Sequence, residues 1–347
     1  GRDFFMYQHM FNQVVEGLDR DCEWGFEQLM LLIHQIGWGE TFFFAITSFI
    51  PLYLVVRAVK DEPDMYVPVI AVFMLYAFWQ PTANVLRQVI AFGFFAVSIK
   101  PLQQKKWLLH YLLIAIAFLF HKSALALVIV YPIFALNRYE AYIKDVGSQL
   151  IIFALAFLLM QFGLVEWLID AFFNVIVLLG YADSAAFDTH MYYEDFSLGL
   201  GFIIRMAVNL MIICHSKEIK EHFKSTPVAI IYDIWFVGMI LSVIFVQSMS
   251  IARMLLYFTQ LAIFVMAYAL EYFRREKPDY FWVMLALMFL TVLALSKSFW
   301  FAGGTVAGAV GCEYLLMKLG KTGEMRAVNE NLLEFLNFLG NYMLFLR

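Results

Sequence analysis

Residues 79–125 read WQPTANVLRQVIAFGFFAVSIKPLQQKKWLLHYLLIAIAFLFHKSAL. The pattern predicts two apolar helices, 83–99 and 107–120, flanking a basic turn that carries Lys100, Lys105 and Lys106. The far end of the first helix carries Asn84, Arg87 and Gln88; the far end of the second carries His121, Lys122 and Ser123. A hairpin of this kind returns both polar clusters to the side opposite its basic turn. Asn84, Arg87 and Gln88 stand at i, i+3 and i+4, so they share one helix face.

The rest of the chain has the same character. Of 347 residues, 63% are hydrophobic and only 15% charged, with a mean hydropathy of +0.75. Soluble domains are nearer half apolar and a quarter charged. The expected fold is therefore all-α: a polytopic transmembrane helical bundle, one integral-membrane domain over 1–347. Apolar spans are expected near 41–57, 66–79, 83–99, 107–120, 123–137, 148–164, 198–214, 226–247, 251–271, 279–296 and 298–316, about 11 in all. Several are shorter than the roughly 20 residues that cross a bilayer straight. Residues 325–347 form an amphipathic tail that either lies on the surface or crosses once more. Cys22, Cys214 and Cys312 lack metal-ligand spacing and imply no disulfide framework. No phosphate-loop or zinc motif occurs, and neither a metal, a cofactor nor a nucleic-acid partner is expected.

Charge sets the expected orientation. Sixteen of the 24 basic residues fall in alternate connections: Arg57, Lys60; Lys100, Lys105, Lys106; Arg138, Lys144; Lys217, Lys220, Lys224; Arg274, Arg275, Lys277; Lys318, Lys321, Arg326. Basic loops are cytoplasmic by the positive-inside rule. The opposite face then holds 1–40, 80–87, 121–122, 161–200, 247–253 and 297. Segment 1–40 is polar and aromatic, with an amphipathic helix near 25–36. Its Asp19-Arg20-Asp21 has the D-x-D form of a nucleotide-sugar metal site, but such donors are cytosolic and this segment is not. Segment 161–200 is the longest connection. It carries Glu166, Asp170, Asp183, Asp188, Glu194 and Asp195 with no Lys or Arg, and 165–179 reads as a helix lying on the membrane. Long structured loops are usually functional. Together 1–40 and 161–200 are expected to form an outer lid.

The outer face also carries a resemblance. Asn84, Arg87, Gln88, Ile90 and Ala91 on one helix, followed by Phe120-His121-Lys122-Ser123-Ala124-Leu125, resemble motifs of the EpsG/Wzy-like family of repeat-unit polymerases for O-antigen and exopolysaccharide. Gly1-Arg2-Asp3-Phe4-Phe5-Met6-Tyr7 is similar to that family's G-x-D-x-x-x-Y, and Glu23-Trp24-Gly25-Phe26 to its E-P-G-F, with Trp24 in place of proline. Arg253-Met254-Leu255-Leu256-Tyr257-Phe258 resembles a late R-x-x-x-Y-F. The resemblance covers about residues 1–275. It implies an enzyme of the bacterial inner membrane that joins polyprenyl-diphosphate-linked oligosaccharides on the extracytoplasmic face. Its implied partners are the lipid-linked glycan, the bilayer, a chain-length regulator and a flippase, and it implies a membrane helix ahead of Gly1.

The residues admit chemistry of that kind. A basic residue in or at the end of a membrane span is costly unless paired or snorkelling. Arg87, Lys122, Arg205 and Arg253 are such residues. Arginine meets phosphate oxygens bidentately and keeps its charge, so Arg87 and Arg253 are the expected diphosphate clamp, set to share one cavity. Lys122 and Arg205 are further substrate contacts, and Asn84 and Gln88 add neutral hydrogen bonds. Asp3, Glu23 and His121 are the candidate bases for a sugar hydroxyl, with Tyr7 one turn beyond Asp3 to orient it. Tyr192 and Tyr193 offer aromatic faces to the glycan. Ser123 is expected to cap its helix. Two other readings stay open: a transferase or ligase delivering the finished glycan to a different acceptor, and a lipid-linked-sugar flippase with no chemistry, which would need polar residues near mid-membrane where these spans have few.

Overall fold

The structure is a computed structural model of the whole chain, and it describes residues 4–18, 22–75, 78, 85–137, 142–161, 199–246, 249–291 and 293. The chain divides into two compact units, Gly1–Val292 and Leu293–Arg347, and every element below belongs to the first. Regular structure among the described residues is helical throughout. The expected spans at 298–316 and 325–347, the helix at 165–179, Asp19-Arg20-Asp21 and Cys312 lie outside the described residues.

Two short amphipathic helices open the chain, α1 (Phe4–Val15) and α2 (Trp24–Gln35). In α1 the buried side chains are Tyr7, Met10, Phe11 and Val14; in α2 they are Phe26, Met30 and Ile33. The i, i+3, i+4, i+7 spacing gives each helix one apolar stripe. The two stripes meet Phe43 of α3 (Glu40–Ala58) and Leu86 and Ile90 of α5 (Leu86–Gln103) in a single core cluster. Gln8 Nε2 donates to Glu40 Oε1 at 2.8 Å and ties α1 to the start of α3.

α5 is the centre of this half. It packs against α3 on one side and α6 (Trp107–Phe120) on another. Its side chains are buried nearly all round, as expected of an apolar helix in a bundle core. α4 (Tyr66–Leu75) follows a 3-10 turn at Pro63–Met65. After α6, a 3-10 run at Lys122–Ile129 leads into α7 (Val130–Leu136), then α8 (Val146–Gln161), α9 (Leu200–Cys214), α10 (Ser216–His222) and α11 (Val228–Ile244). α12 (Met249–Thr259) and α13 (Ala262–Glu276) run on from each other, and α14 spans Pro278–Thr291.

Among the described residues two helices are long and apolar enough to cross a membrane, Glu40–Ala58 and Ile251–Glu276, or three if the bent pair α9–α10 is one span. The expected count of about 11 is therefore reduced among the described residues to these spans and a set of shorter apolar helices. Burial separates their places: 78% of the Ile251–Glu276 window is buried but only 28% of Glu40–Ala58. The second of these exposes Phe49 and Tyr53, as α6 exposes Leu108 and Leu112, α8 Ile151 and Leu155, and α14 Trp282 and Phe289. In a membrane protein these apolar faces meet lipid.

Several boundaries move. The first hairpin helix continues through Lys100 and Pro101 to Gln103, so Lys100 belongs to the helix and not to the turn. Lys105, at φ 60°, closes that turn. The span expected at 123–137 begins as 3-10 helix. At the basic end of the hairpin Lys100 pairs with Asp61 at 2.9 Å; elsewhere Arg275 pairs with Asp64 at 2.9 Å and Lys277 with Glu218 at 2.7 Å. Thirteen positions of helix separate Arg87 from Lys100, about 20 Å at 1.5 Å per residue, which keeps the two polar ends apart.

Candidate active site

The residues at the other end of the hairpin gather around one carboxylate, that of Glu23. Glu23 occupies the N-cap position of α2, yet its side chain makes no capping bond there. It turns away and accepts from three donors on other elements. Arg87 Nη1 donates to Oε2 at 2.5 Å, His121 Nδ1 meets Oε1 at 2.9 Å, and the Lys122 main-chain N–H donates to Oε1 at 3.3 Å. An N-cap side-chain bond is ordinarily worth about 1 kcal/mol, so α2 forgoes local stability for these long-range contacts.

Each donor is presented by a local feature. Arg87 lies in the first turn of α5, where a cation opposes the helix dipole unless an anion stands beside it; Glu23 is that anion. His121 ends α6 in extended backbone, φ −157° and ψ 119°, and simultaneously precedes the 3-10 run. That break turns its ring out of the helix. Gly25 explains how α2 comes near enough. A Cβ at that position would lie 2.9 Å from the Leu119 carbonyl oxygen and 3.0 Å from the Leu119 Cβ. Only glycine lets α2 sit directly against the last turn of α6.

Burial sharpens the electrostatics. The Glu23 side chain is 7% exposed, with Arg87 at 22% and His121 at 27%. Burial works against ionisation of Glu23, but the His121 hydrogen bond and the Arg87 charge outweigh it and hold the carboxyl at about 2. Because the folded value lies below the ordinary 4.5, the ionised carboxylate contributes stability above that pH and loses it as pH falls toward 2. Thermal unfolding of the detergent-solubilised chain should therefore drop across this window, and Glu23→Gln should remove that component. An unchanged acid profile in the variant would mean that Glu23 is not charged in the folded chain.

Further links bring in the remaining motif residues. Arg87 also meets the phenol of Tyr7, which is 3% exposed and stands edge-on to Phe26. Gln88, 3% exposed, donates from Nε2 to the main-chain carbonyl of Arg253. Ser123 Oγ and Tyr257 Oη lie 3.0 Å apart; the hydroxyl therefore joins α12 and does not cap a helix, contrary to the expectation from sequence. Tyr257 was not singled out there, although it belongs to the R-x-x-x-Y-F stretch that would have pointed to it. Five segments distant in sequence, 4–15, 22–26, 85–88, 121–123 and 253–257, thus meet at one end of the bundle.

The other candidates divide. Lys122 is exposed and adjoins the carboxylate through its main chain. The side chain of Arg253 is exposed, while Arg87 is turned to Glu23. Arg205 is exposed on α9, which packs on α8 and α10, and none of the hydrogen bonds above reaches it. Asp3, Asn84, Tyr192 and Tyr193 lie outside the described residues.

A family model described as the EpsG family matches residues 1–303. No curated protein and no solved structure matches the chain.

Proposed function

We propose, from the premise that this chain belongs to the EpsG family, that it is a polysaccharide polymerase of the bacterial cytoplasmic membrane. It joins polyprenyl-diphosphate-linked oligosaccharide repeats at an extracytoplasmic site. A growing glycan on its lipid diphosphate is the donor and a lipid-linked repeat the acceptor. A hydroxyl of the acceptor sugar attacks the donor's anomeric carbon, the bond from that carbon to the diphosphate breaks, and the lipid diphosphate leaves with the electron pair. No nucleotide donor is needed, which suits a site away from the cytoplasm.

The observation that carries this reading is the convergence on Glu23: Tyr7, Arg87, His121 and Lys122 around its carboxylate, with Gln88 and Ser123 holding α12. Arg253 and Lys122, both exposed, are the cations offered to the diphosphate, and Arg87 adds whatever donors Glu23 leaves it. Asp3 and Asn84 adjoin this cluster in sequence. Tyr192 and Tyr193 of segment 161–200 belong to the proposed lid and would stack on sugar faces. Arg205 is kept as a more distant contact along the glycan. A chain-length regulator and a flippase are the proposed partners.

Purified protein in proteoliposomes, supplied with a polyprenyl-diphosphate-linked repeat unit, should yield a ladder of longer glycans and free polyprenyl diphosphate. Movement of intact repeat across the bilayer without chain growth would replace this reading with a flippase. The orientation has its own test, in which a membrane-impermeant thiol reagent is applied to intact cells. In a chain whose own Cys22, Cys214 and Cys312 are replaced by Ser, Asp188→Cys should label and Gln104→Cys should not; the reverse pattern would put the site in the cytoplasm.

A further inference from the structure

We propose that Glu23 is the positioning residue of a Glu–His pair that makes His121 Nε2 the proton acceptor of the reaction, an inference that rests on the polymerase reading. An ionised carboxylate can only accept hydrogen bonds. The 2.9 Å contact between Glu23 Oε1 and His121 Nδ1 therefore requires the ring proton on Nδ1. In the neutral ring that leaves the lone pair on Nε2. The ring is 27% exposed: its Nδ1 edge is fixed against Glu23 and part of the side chain still faces outward.

Glu23 is itself fixed. Arg87 holds Oε2, while the Lys122 main-chain N–H and the His121 ring share Oε1. Gly25 keeps α2 seated against Leu119, two residues before His121. Among the described residues, the charged and titratable groups around the ring are Glu23 from the α1–α2 connection, Arg87 from α5, Lys122 beside it, Tyr7 from α1 beyond Arg87, and Tyr257 from α12 beyond Ser123. A carboxylate engaged by three donors and held at about 2 is a weak base. Among the candidates Glu23 and His121, the geometry assigns the proton to the ring and the orientation to the carboxylate.

The step balances simply. The acceptor hydroxyl gives its proton to Nε2 as its oxygen bonds to the anomeric carbon. The carbon–oxygen bond to the diphosphate breaks, and polyprenyl diphosphate carries off the electron pair. The imidazolium that forms faces the Glu23 carboxylate, which stabilises it, and later passes its proton to water.

The test uses the full chain in nanodiscs, labelled with 15N-histidine. His121→Asn identifies one ring among seven by subtraction, and its amide can still donate to Glu23. The expected result is a His121 ring protonated at Nδ1 and unprotonated at Nε2, with that fixed tautomer lost in Glu23→Gln. In proteoliposomes with the lipid-linked repeat, His121→Asn should lower the initial rate of chain growth ~100-fold or more, the usual contribution of a general base. Chain growth by wild type together with a near-normal rate for folded His121→Asn would overturn the inference and leave the polymerase reading standing. A His121 ring protonated at Nε2 instead would overturn it independently of any activity. Absence of chain growth by wild type would overturn the polymerase reading and the catalytic role with it.

Discussion

Arg253→Ala is expected to slow chain growth about a hundredfold while leaving the yield of folded protein unchanged. The side chain of Arg253 is exposed, and the bond that anchors this part of α12 uses its main-chain carbonyl, not its guanidinium. Truncating an exposed side chain with no buried partner changes stability by only about 0.5 kcal/mol. If the guanidinium meets the departing diphosphate, its loss removes an interaction made chiefly in the transition state. Such contacts are worth ~3 kcal/mol, or roughly a hundredfold in rate. Arg253→Lys keeps a charge but loses the planar fork, so its rate should fall between those of wild type and Arg253→Ala. The measurement is the initial rate of polyprenyl diphosphate release in proteoliposomes. A wild-type rate for well-folded Arg253→Ala would remove this residue from the site.

Arg87→Ala should abolish chain growth for a different reason, and with a cost to the fold. Removing Arg87 strips a buried carboxylate of its only side-chain cation of fixed charge among the described residues. Breaking one partner of a buried pair typically costs about 3–5 kcal/mol; with Arg87 at 22% exposed, the lower end of that range applies. From sequence, Arg87 reads as a phosphate clamp whose removal would leave folding intact. The ion pair with Glu23 revises that expectation. Arg87→Leu combined with Glu23→Leu separates the two effects, because replacing both ions by apolar groups is often neutral for stability. The double variant should melt near wild type and remain inactive. An Arg87→Ala chain that melts like wild type would mean the pair does not support the fold. Recovery of chain growth in the double variant would place neither residue in the chemistry.

Much of the architecture is local and therefore legible. The helix at 107–120 stands where its apolar run predicts, Trp107–Phe120, and the amphipathic helix near 25–36 is α2 at Trp24–Gln35. The hairpin separates a basic end at Lys100–Lys106 from a polar end at Arg87 and His121. Periodicity, apolar content and loop charge act within one helix or one connection, so one sequence suffices to read them. Helix lengths are not local in this sense, since a helix inside a bundle need not cover the bilayer alone. That is why the expected row of full spans becomes two long helices and several short ones among the described residues.

The pairing of the polar residues is another matter. Glu23 reaches Arg87 across 64 positions and His121 across 98, and Gln88 reaches Arg253 across 165. Nothing in the spacing of a single chain links residues so far apart. Composition and motif order determined that this is an apolar, all-helical membrane chain with its unusual polar residues at helix ends. Tertiary packing alone decided what those residues do to one another. With α2 seated on Leu119 through Gly25, the buried Glu23 carboxylate is neutralised by Arg87 and orients His121, because a charge withdrawn from water must find its partners inside the fold.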